Sequence, residues 1–254
     1  MRPTRADRFP MHLSAAALLM MAVAASSATQ ATAQSLTERF TAHTAGATAT
    51  VDHSAWDRLL KAHVVASPDG VNRVAYARFK KAGHAELKAY LGRLQAADPS
   101  KLDRPEQFAF WANLYNAKTI DVVLDKYPVK SIKEVSLGGG LKSLVTGGPW
   151  QAKVMKVSGQ ELSLDDIENL VMRPVFKDPR VHYSVNCASF GCPNLMAAAF
   201  TGQSLDAMLE AGAKAYVNNP RGIRIEAGKA KASSIYDWFR ADFGGSEKTV
   251  LDHM

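Results

Sequence analysis

Apolar residues recur three and four positions apart through the first half of the chain, which is the spacing of one helix face. The pattern predicts helices around residues 56–63, 87–94 and 107–124. The third is the strongest, because its large side chains share one face over five turns: Phe108, Trp111, Leu114, Tyr115, Ala117, Ile120 and Leu124. Pro128 is expected to end this helix, since proline cannot continue the hydrogen-bond ladder.

The second half mixes both periodicities. A strand is predicted over 150–157, with a turn at Ser158-Gly159 into a second short strand. Ser163 and Asp166 resemble a helix N-cap and its acidic third position, so a helix is expected from there to about Met172. The remaining elements are strands at 181–185 and 221–226 and helices at 205–217 and 233–239. This order predicts an α+β fold, with a helical N-terminal half packed on a small, mainly antiparallel sheet.

The N-terminal 33 residues have the pattern of a secretory signal peptide. Three arginines precede an apolar run over 13–25, and small residues follow it up to Ala33, with Ala28 as a second possible cleavage point. Thirteen apolar residues are too few for a bilayer, which needs about 20 in a helix, so an uncleaved anchor is the weaker interpretation. The pattern predicts a periplasmic or secreted protein without a membrane span after cleavage.

The rest of the chain is predicted to contain a single domain. Residues 34–50 are expected to be a linker, 51–245 a single domain and 246–254 a C-terminal tail. A glycine-rich stretch over 137–140 is expected to be a flexible joint.

The basic excess does not indicate nucleic acid. The net charge is +7, and loss of the leader removes three arginines and one aspartate, leaving 28 basic and 23 acidic residues and a net charge of +5. These residues are scattered instead of forming a dense basic stripe with stacking aromatics. No cofactor motif is recognisable either.

The densest polar segment runs from His182 to Asn194 and contains both cysteines, Cys187 and Cys192. In an exported protein they could form a disulfide, provided that the chain turns within 188–191 to bring the Cα atoms within about 7 Å. Alternatively either cysteine could be a thiol nucleophile with His182 as its base, which also requires a bend, because positions 182 and 187 face opposite sides of a strand. A metal site is disfavoured, since the other histidines show no ligand spacing.

Two further sets of polar residues are candidates. Asn113 and Asn116 lie three apart on the predicted central helix, and they either tie that helix to a loop or line a cleft. Glu168 either orients a catalytic histidine or pairs with Arg173 as a structural clamp.

These segments together resemble the DUF547 family, whose function is unknown. The motifs are Phe110-Trp111-x-Asn113-x-Tyr115-Asn116, Leu162-Ser163-Leu164 to Pro174, Asp178 to Pro193, and Ile235 to Gly244. The family looks distantly similar to papain-like or transglutaminase-like thiol hydrolases. The resemblance therefore implies a papain-like character, with Cys187 as nucleophile, His182 as base and Cys192 in a lesser role.

Two hypotheses follow from the sequence. The first is a cysteine-dependent hydrolase or acyl transferase that acts on amide or ester bonds of peptides or cell-wall material. In it Cys187 attacks and His182 moves the proton. Glu168 could orient the imidazole, and an amide such as Asn113 either helps to orient it or holds an oxyanion. The second is a non-catalytic periplasmic binding or interaction domain with a Cys187–Cys192 disulfide.

Overall fold

A single long helix forms the centre of the fold. In the computed structural model, which describes residues 36–137 and 148–254, helix α5 spans Arg104–Lys126. Asp103 caps it by accepting the backbone N–H of Glu106 at 2.9 Å. From Glu106 to Leu124 only Lys118 is not buried, so the helix is enclosed on all sides. An enclosed helix is the scaffold on which the other elements pack.

The N-terminal elements wrap around α5. Residues 36–41 form helix α1, followed by α2 (Ser54–His63), α3 (Tyr76–Ala82) and α4 (His84–Ala96). Short 3₁₀ turns at Pro99–Lys101 and Ile132–Glu134 flank α5. The prediction of a linker over 34–50 is wrong for α1, because Leu36 and Phe40 are buried in the main core. Phe40 packs edge-to-face on Trp111 with ring centroids 4.9 Å apart.

Within residues 36–137 and 148–254, the strands form three separate antiparallel hairpins. Their pairs are β1 (Val64–Val65) with β2 (Arg73–Val74), β3 (Met155–Val157) with β4 (Gln160–Leu162), and β5 (Ile223–Glu226) with β6 (Lys229–Ala232). The α+β class is confirmed, and so is the turn at Ser158-Gly159 between two strands. The described residues contain no larger sheet, so the papain-like character is not confirmed.

The capping box predicted at Ser163 is present. The Asp166 N–H donates to Ser163 Oγ at 3.0 Å, and the Ser163 N–H donates to the Asp166 carboxylate at 2.7 Å. Helix α6 then covers residues 164–176 in three parts: an α-turn at Leu164–Asp166, a π-helical stretch at Ile167–Met172 and an α-turn at Arg173–Phe176. It continues past Met172 although Pro174 has no N–H to donate, and the π-helical stretch directly before the proline is where the regular α-helical hydrogen-bond pattern already changes.

The strand predicted over 181–185 is wrong. Val181–Ser184 form a single helical turn, α7, and all four side chains are buried. Alternation indicates a strand only where one face is exposed, and here neither side of the segment faces water.

The C-terminal segment packs on this turn. Helix α8 spans Leu205–Val217 as predicted; α9 (Ile235–Trp238), a 3₁₀ turn (Arg240–Phe243) and α10 (Glu247–His253) follow the β5–β6 hairpin. The segment expected to be a tail therefore carries a capped helix. Its Val250 joins a small cluster with Tyr183, Tyr216 and Phe243.

Two sequence predictions concern other residues. The signal peptide over 1–33 and the glycines of the predicted joint at 138–140 lie outside the described residues. Among the helices that the structure describes, none combines the length and the apolar character needed to cross a membrane.

Candidate functional site

The two cysteines are bonded to each other. The Cα atoms of Cys187 and Cys192 lie 6.4 Å apart, and the bond closes a loop of six residues. The chain turns at Ala188, which adopts a positive φ of 57°, and its N–H donates to the side chain of Asn186 at 2.8 Å. Both cysteines of the chain are in this bond, so the structure contains no free thiol.

Two side chains hold the disulfide loop in place. Arg221 donates to the carbonyls of Phe190 and Cys192 at 3.1 and 2.9 Å. The hydroxyl of Tyr216, on α8, donates to the carbonyl of Gly191 at 2.7 Å. The loop carbonyls therefore have fixed donors from two other elements.

His182 is bound to a carboxylate, and not to a sulfur. Its Nε2 lies 2.7 Å from Asp242 Oδ2, and its ring stacks on Phe239 with centroids 4.2 Å apart and contacts Phe243 at 5.4 Å. The Nδ1 atom is buried and makes no hydrogen bond. Desolvation lowers the pKa of His182 to about 4, although Asp242 opposes the shift. The imidazole is therefore neutral at pH 7, with Nε2–H as the donor to Asp242.

Asp242 is the centre of this cluster. Arg173 donates to both of its oxygens, from Nε at 2.5 Å and from a terminal nitrogen at 3.1 Å, and also to Asn169 at 2.6 Å. Burial would raise the pKa of Asp242, but the hydrogen bonds from Arg173 and His182 outweigh it and hold the pKa below its ordinary value. Arg173 also lies over the ring of Phe239, 4.6 Å from its centroid.

Glu168 has a different partner from those expected. The hydroxyl of Tyr115 donates to it at 3.2 Å, and neither His182 nor Arg173 hydrogen-bonds to it. Desolvation raises the pKa of Glu168 to about 7, against the hydrogen bond from Tyr115. A carboxyl that titrates near neutrality is thus built into the wall between α5 and α6.

The side-chain amides of Asn113 and Asn116, both on α5, hydrogen-bond the backbone of two distant segments. Asn113 donates to the Phe200 carbonyl at 2.8 Å and accepts the Phe200 N–H at 3.1 Å. Asn116 donates to the Ser184 carbonyl at 2.7 Å and accepts the Asn186 N–H at 2.8 Å. Both side chains are buried, and each amide uses its nitrogen and its oxygen to hold backbone groups, which is the first of the two roles expected for them.

A polar cleft of about 380 Å³ opens beside the Asp242 cluster. It is lined by residues of α6, the segment after it and the C-terminal 3₁₀ turn: Asn169, Arg173, Pro174, Lys177, Asp178, Ala241 and Asp242. The lining offers charges of both signs, so the cleft suits a polar ligand.

One other cluster resembles a metal site. Within the described residues, His84, Asp121 and Asp125 place three potential ligand atoms close together. Lys88 donates to both carboxylates at 2.9 Å, and Lys118 pairs with Asp121 at 2.8 Å. The ammonium groups already compensate the carboxylates, so the cluster is an ion-pair network.

The structure thus divides the sequence-predicted residues into two groups. Arg173 and His182 both bind Asp242, whereas Cys187 and Cys192 are bonded to each other. Asn116 hydrogen-bonds the backbone of Ser184 and Asn186, between the two groups in the sequence. Asp242 lies within the C-terminal motif, Ile235 to Gly244, and no role is predicted for it from the sequence. Its position between Phe239 and Phe243, the two rings that enclose His182, is the signal that could have identified it.

Comparison with known proteins adds a family without an assigned activity. Residues 99–217 match the family described as "Protein of unknown function, DUF547". No curated protein and no solved structure matches the chain. The match begins at the 3₁₀ turn before α5 and ends with α8, so it includes both asparagines, Glu168, Arg173, His182 and the disulfide. This segment, a little under half of the chain, is similar to the DUF547 family, whose function is unknown.

Proposed function

We propose that this protein is an exported binding or interaction domain in which the Cys187–Cys192 disulfide is structural. The observation that carries the proposal is that each sulfur is bonded to the other. A thiol hydrolase requires a thiolate, and a sulfur in a disulfide cannot attack a carbonyl as one.

The surrounding residues support the same conclusion. The imidazole of His182 is bound to Asp242 and enclosed by two phenylalanine rings, with no hydrogen bond to either sulfur. The amides that could have stabilised an oxyanion or oriented the imidazole hold backbone groups instead. These residues therefore act as the framework of the fold.

Export is part of the proposal. Disulfides persist in oxidising compartments and are rare in the cytosol. A bridged Cys187–Cys192 pair agrees with the predicted leader and with a periplasmic or secreted location. In that setting the polar cleft at Arg173 and Asp242 would meet peptide or cell-wall material, which offers both amide and carboxylate groups.

Thiol counting tests the proposal directly. The protein is recovered from the exported fraction without reductant, alkylated under denaturing conditions and weighed intact, before and after reduction. We expect no alkylated cysteine before reduction and two after it. Quantitative labelling of a native cysteine by an electrophilic probe before reduction would instead favour the cysteine-dependent hydrolase.

Two single substitutions serve as matched controls. If the bond is structural, Cys187→Ser and Cys192→Ser each free one thiol and lower stability by a similar amount, about 2 kcal/mol for so small a loop. If Cys187 is a nucleophile, only Cys187→Ser abolishes probe labelling under native conditions, while Cys192→Ser retains or increases it. The two functions thus predict opposite patterns from the same pair of variants.

A further inference from the structure

The β5–β6 hairpin exposes an apolar face. Ile223 pairs with Ala232 and Ile225 pairs with Ala230, so these four side chains share one side of the ladder. All residues from 224 to 232 are exposed, and Ile225 is 70% exposed. An isolated two-stranded hairpin is marginally stable, and its apolar face usually packs on a core. Here that face lies in solvent.

The opposite face of the hairpin is mainly cationic. Arg224 pairs with Lys231, and Glu226 pairs with Lys229, so three cations and one carboxylate share it. Glu226 forms ion pairs with Arg224 and Lys231 at 2.5 Å each. Among the described residues, no ion pair involves Lys229. The hairpin therefore combines exposed apolar surface with a net positive charge.

The disulfide loop adds a second apolar group beside the base of the hairpin. The Tyr216 hydroxyl donates to the Gly191 carbonyl at 2.7 Å and lies within hydrogen-bond distance of the Ser233 hydroxyl at 2.9 Å, which ties the loop to the end of β6. At the loop tip Phe190 is 65% exposed. The guanidinium groups of Arg73 and Arg221 lie over its ring, 5.9 and 5.7 Å from the centroid. An exposed phenylalanine close to two arginines, of which Arg73 is ion-paired with Asp69, resembles the combination found on the hairpin.

We propose that this hairpin–loop surface, formed by Arg73, Phe190, Arg221 and residues 223–232, docks on an anionic lipid membrane. The inference rests on the proposed function, since it names the partner of an exported interaction domain. Apolar side chains surrounded by lysine and arginine are typical of segments that lie in the headgroup region of anionic bilayers. Trp238, on the helix that begins three residues after the hairpin, is 74% exposed and is a side chain that favours this region. An acidic protein would account for the cations but leaves the separate apolar tips without a role.

Vesicle co-sedimentation tests the inference. The protein, as recovered after export, is mixed with vesicles of phosphatidylcholine alone or of phosphatidylcholine with 30 mol% phosphatidylglycerol. This anionic fraction, about one lipid in three, is enough to give a negative surface. We expect binding to the anionic vesicles only, and weaker binding at high salt, because salt screens the attraction. Removing one cation with Lys229→Gln should weaken binding about fivefold. Replacing the apolar tip with Ile225→Ser should weaken it about tenfold.

A matched control comes from another exposed apolar residue. Leu251 on α10 is 55% exposed, and Leu251→Ser should bind like the wild type. All variants are recovered in the same way and carry the same N-terminus, so any contribution of the N-terminal residues to lipid binding is equal among them. Circular dichroism and thermal unfolding establish that each variant is folded, which is expected because the hairpin is exposed.

Three results would overturn the inference. The first is equal binding to neutral and anionic vesicles. The second is wild-type binding by a folded Ile225→Ser variant. The third is binding to soluble poly-glutamate with none to the vesicles, which would indicate an acidic protein partner. None of these changes the thiol count, so failure of this inference is distinguishable from failure of the proposed function.

Discussion

Asn116 provides the sharpest test of whether the motif residues are structural. Its amide is buried and bonds the Ser184 carbonyl at 2.7 Å and the Asn186 N–H at 2.8 Å. Asn116→Ala removes the partner of the buried Ser184 carbonyl and of the part-buried Asn186 N–H, at a cost of about 1–3 kcal/mol for a buried group and less for a part-buried one. We therefore expect a loss of about 3 kcal/mol in the free energy of unfolding, allowing for some relaxation of the loop.

Urea unfolding without reductant, followed by circular dichroism, measures this loss. With a denaturant dependence of about 2 kcal/mol per molar urea, the midpoint should fall by about 1.5 M. Asn113→Ala should have a similar effect, because Asn113 makes the equivalent pair of bonds to Phe200. The exposed Asn218, which donates to the Lys214 carbonyl, is the control, and Asn218→Ala should change stability by less than about 0.5 kcal/mol.

A second substitution at Asn116 tests the donor role of its amide separately from the acceptor role. Asn116→Asp keeps the acceptor for the Asn186 N–H but places a carboxylate against the Ser184 carbonyl. Burial raises the pKa of such a carboxyl, so this variant should be least stable at neutral pH and should regain stability on acidification, when the protonated group can donate. If Asn116→Ala unfolds within 0.5 kcal/mol of the wild type, or if Asn116→Asp shows no such pH dependence, the clamp assigned to this amide is refuted.

Four other predictions concern packing and titration. A Cβ at Gly202 would lie 2.9–3.3 Å from Glu106, whose carboxylate accepts the Gly202 N–H at 2.7 Å, so Gly202→Ala should cost about 2 kcal/mol in urea unfolding. Gly92→Ala, in an open helical position, should instead gain about 0.5–1 kcal/mol. Because the folded pKa of His182 is about 4, below the ordinary 6.5, stability present above pH 6.5 should be lost as pH falls toward 4. Thermal unfolding across that range should be flatter in His182→Gln, and an unchanged slope would contradict the buried neutral imidazole. Because the folded pKa of Glu168 is about 7, Glu168→Gln should be more stable than the wild type at pH 8, and this gain should disappear by pH 5.

Local patterns predicted much of the helical architecture. The capping box at Ser163 and helix α8 appear where the sequence places them, because both depend on residues only a few positions apart. The α+β class follows from the order of such elements. The failure of the strand predicted over 181–185 has one cause, which is burial on all sides. Residues 181–184 alternate like a strand, but alternation carries no information when both faces are covered.

The candidate site depends on contacts that local patterns do not encode. His182 and Asp242 are 60 positions apart, and only the return of the C-terminal segment brings them together. The choice between a disulfide and a free nucleophile was open in the sequence, because it depends on the turn at Ala188. The two roles of Asn113 and Asn116 were open for the same reason: the carbonyls that they bind belong to segments 68 and 87 positions away.

The enclosure of His182 determines how far the chain can be truncated without loss of folding. The side chains that enclose His182 are Asp242, Phe239 and Phe243, and all three lie beyond residue 217. The helices that cover α5 from the other side lie before residue 99. A fragment limited to the family-matched part would leave an uncovered imidazole and bare apolar helix surface, and we expect it to aggregate. The autonomous folding unit is thus larger than the segment by which the family is recognised, and heterologous expression should include both flanks.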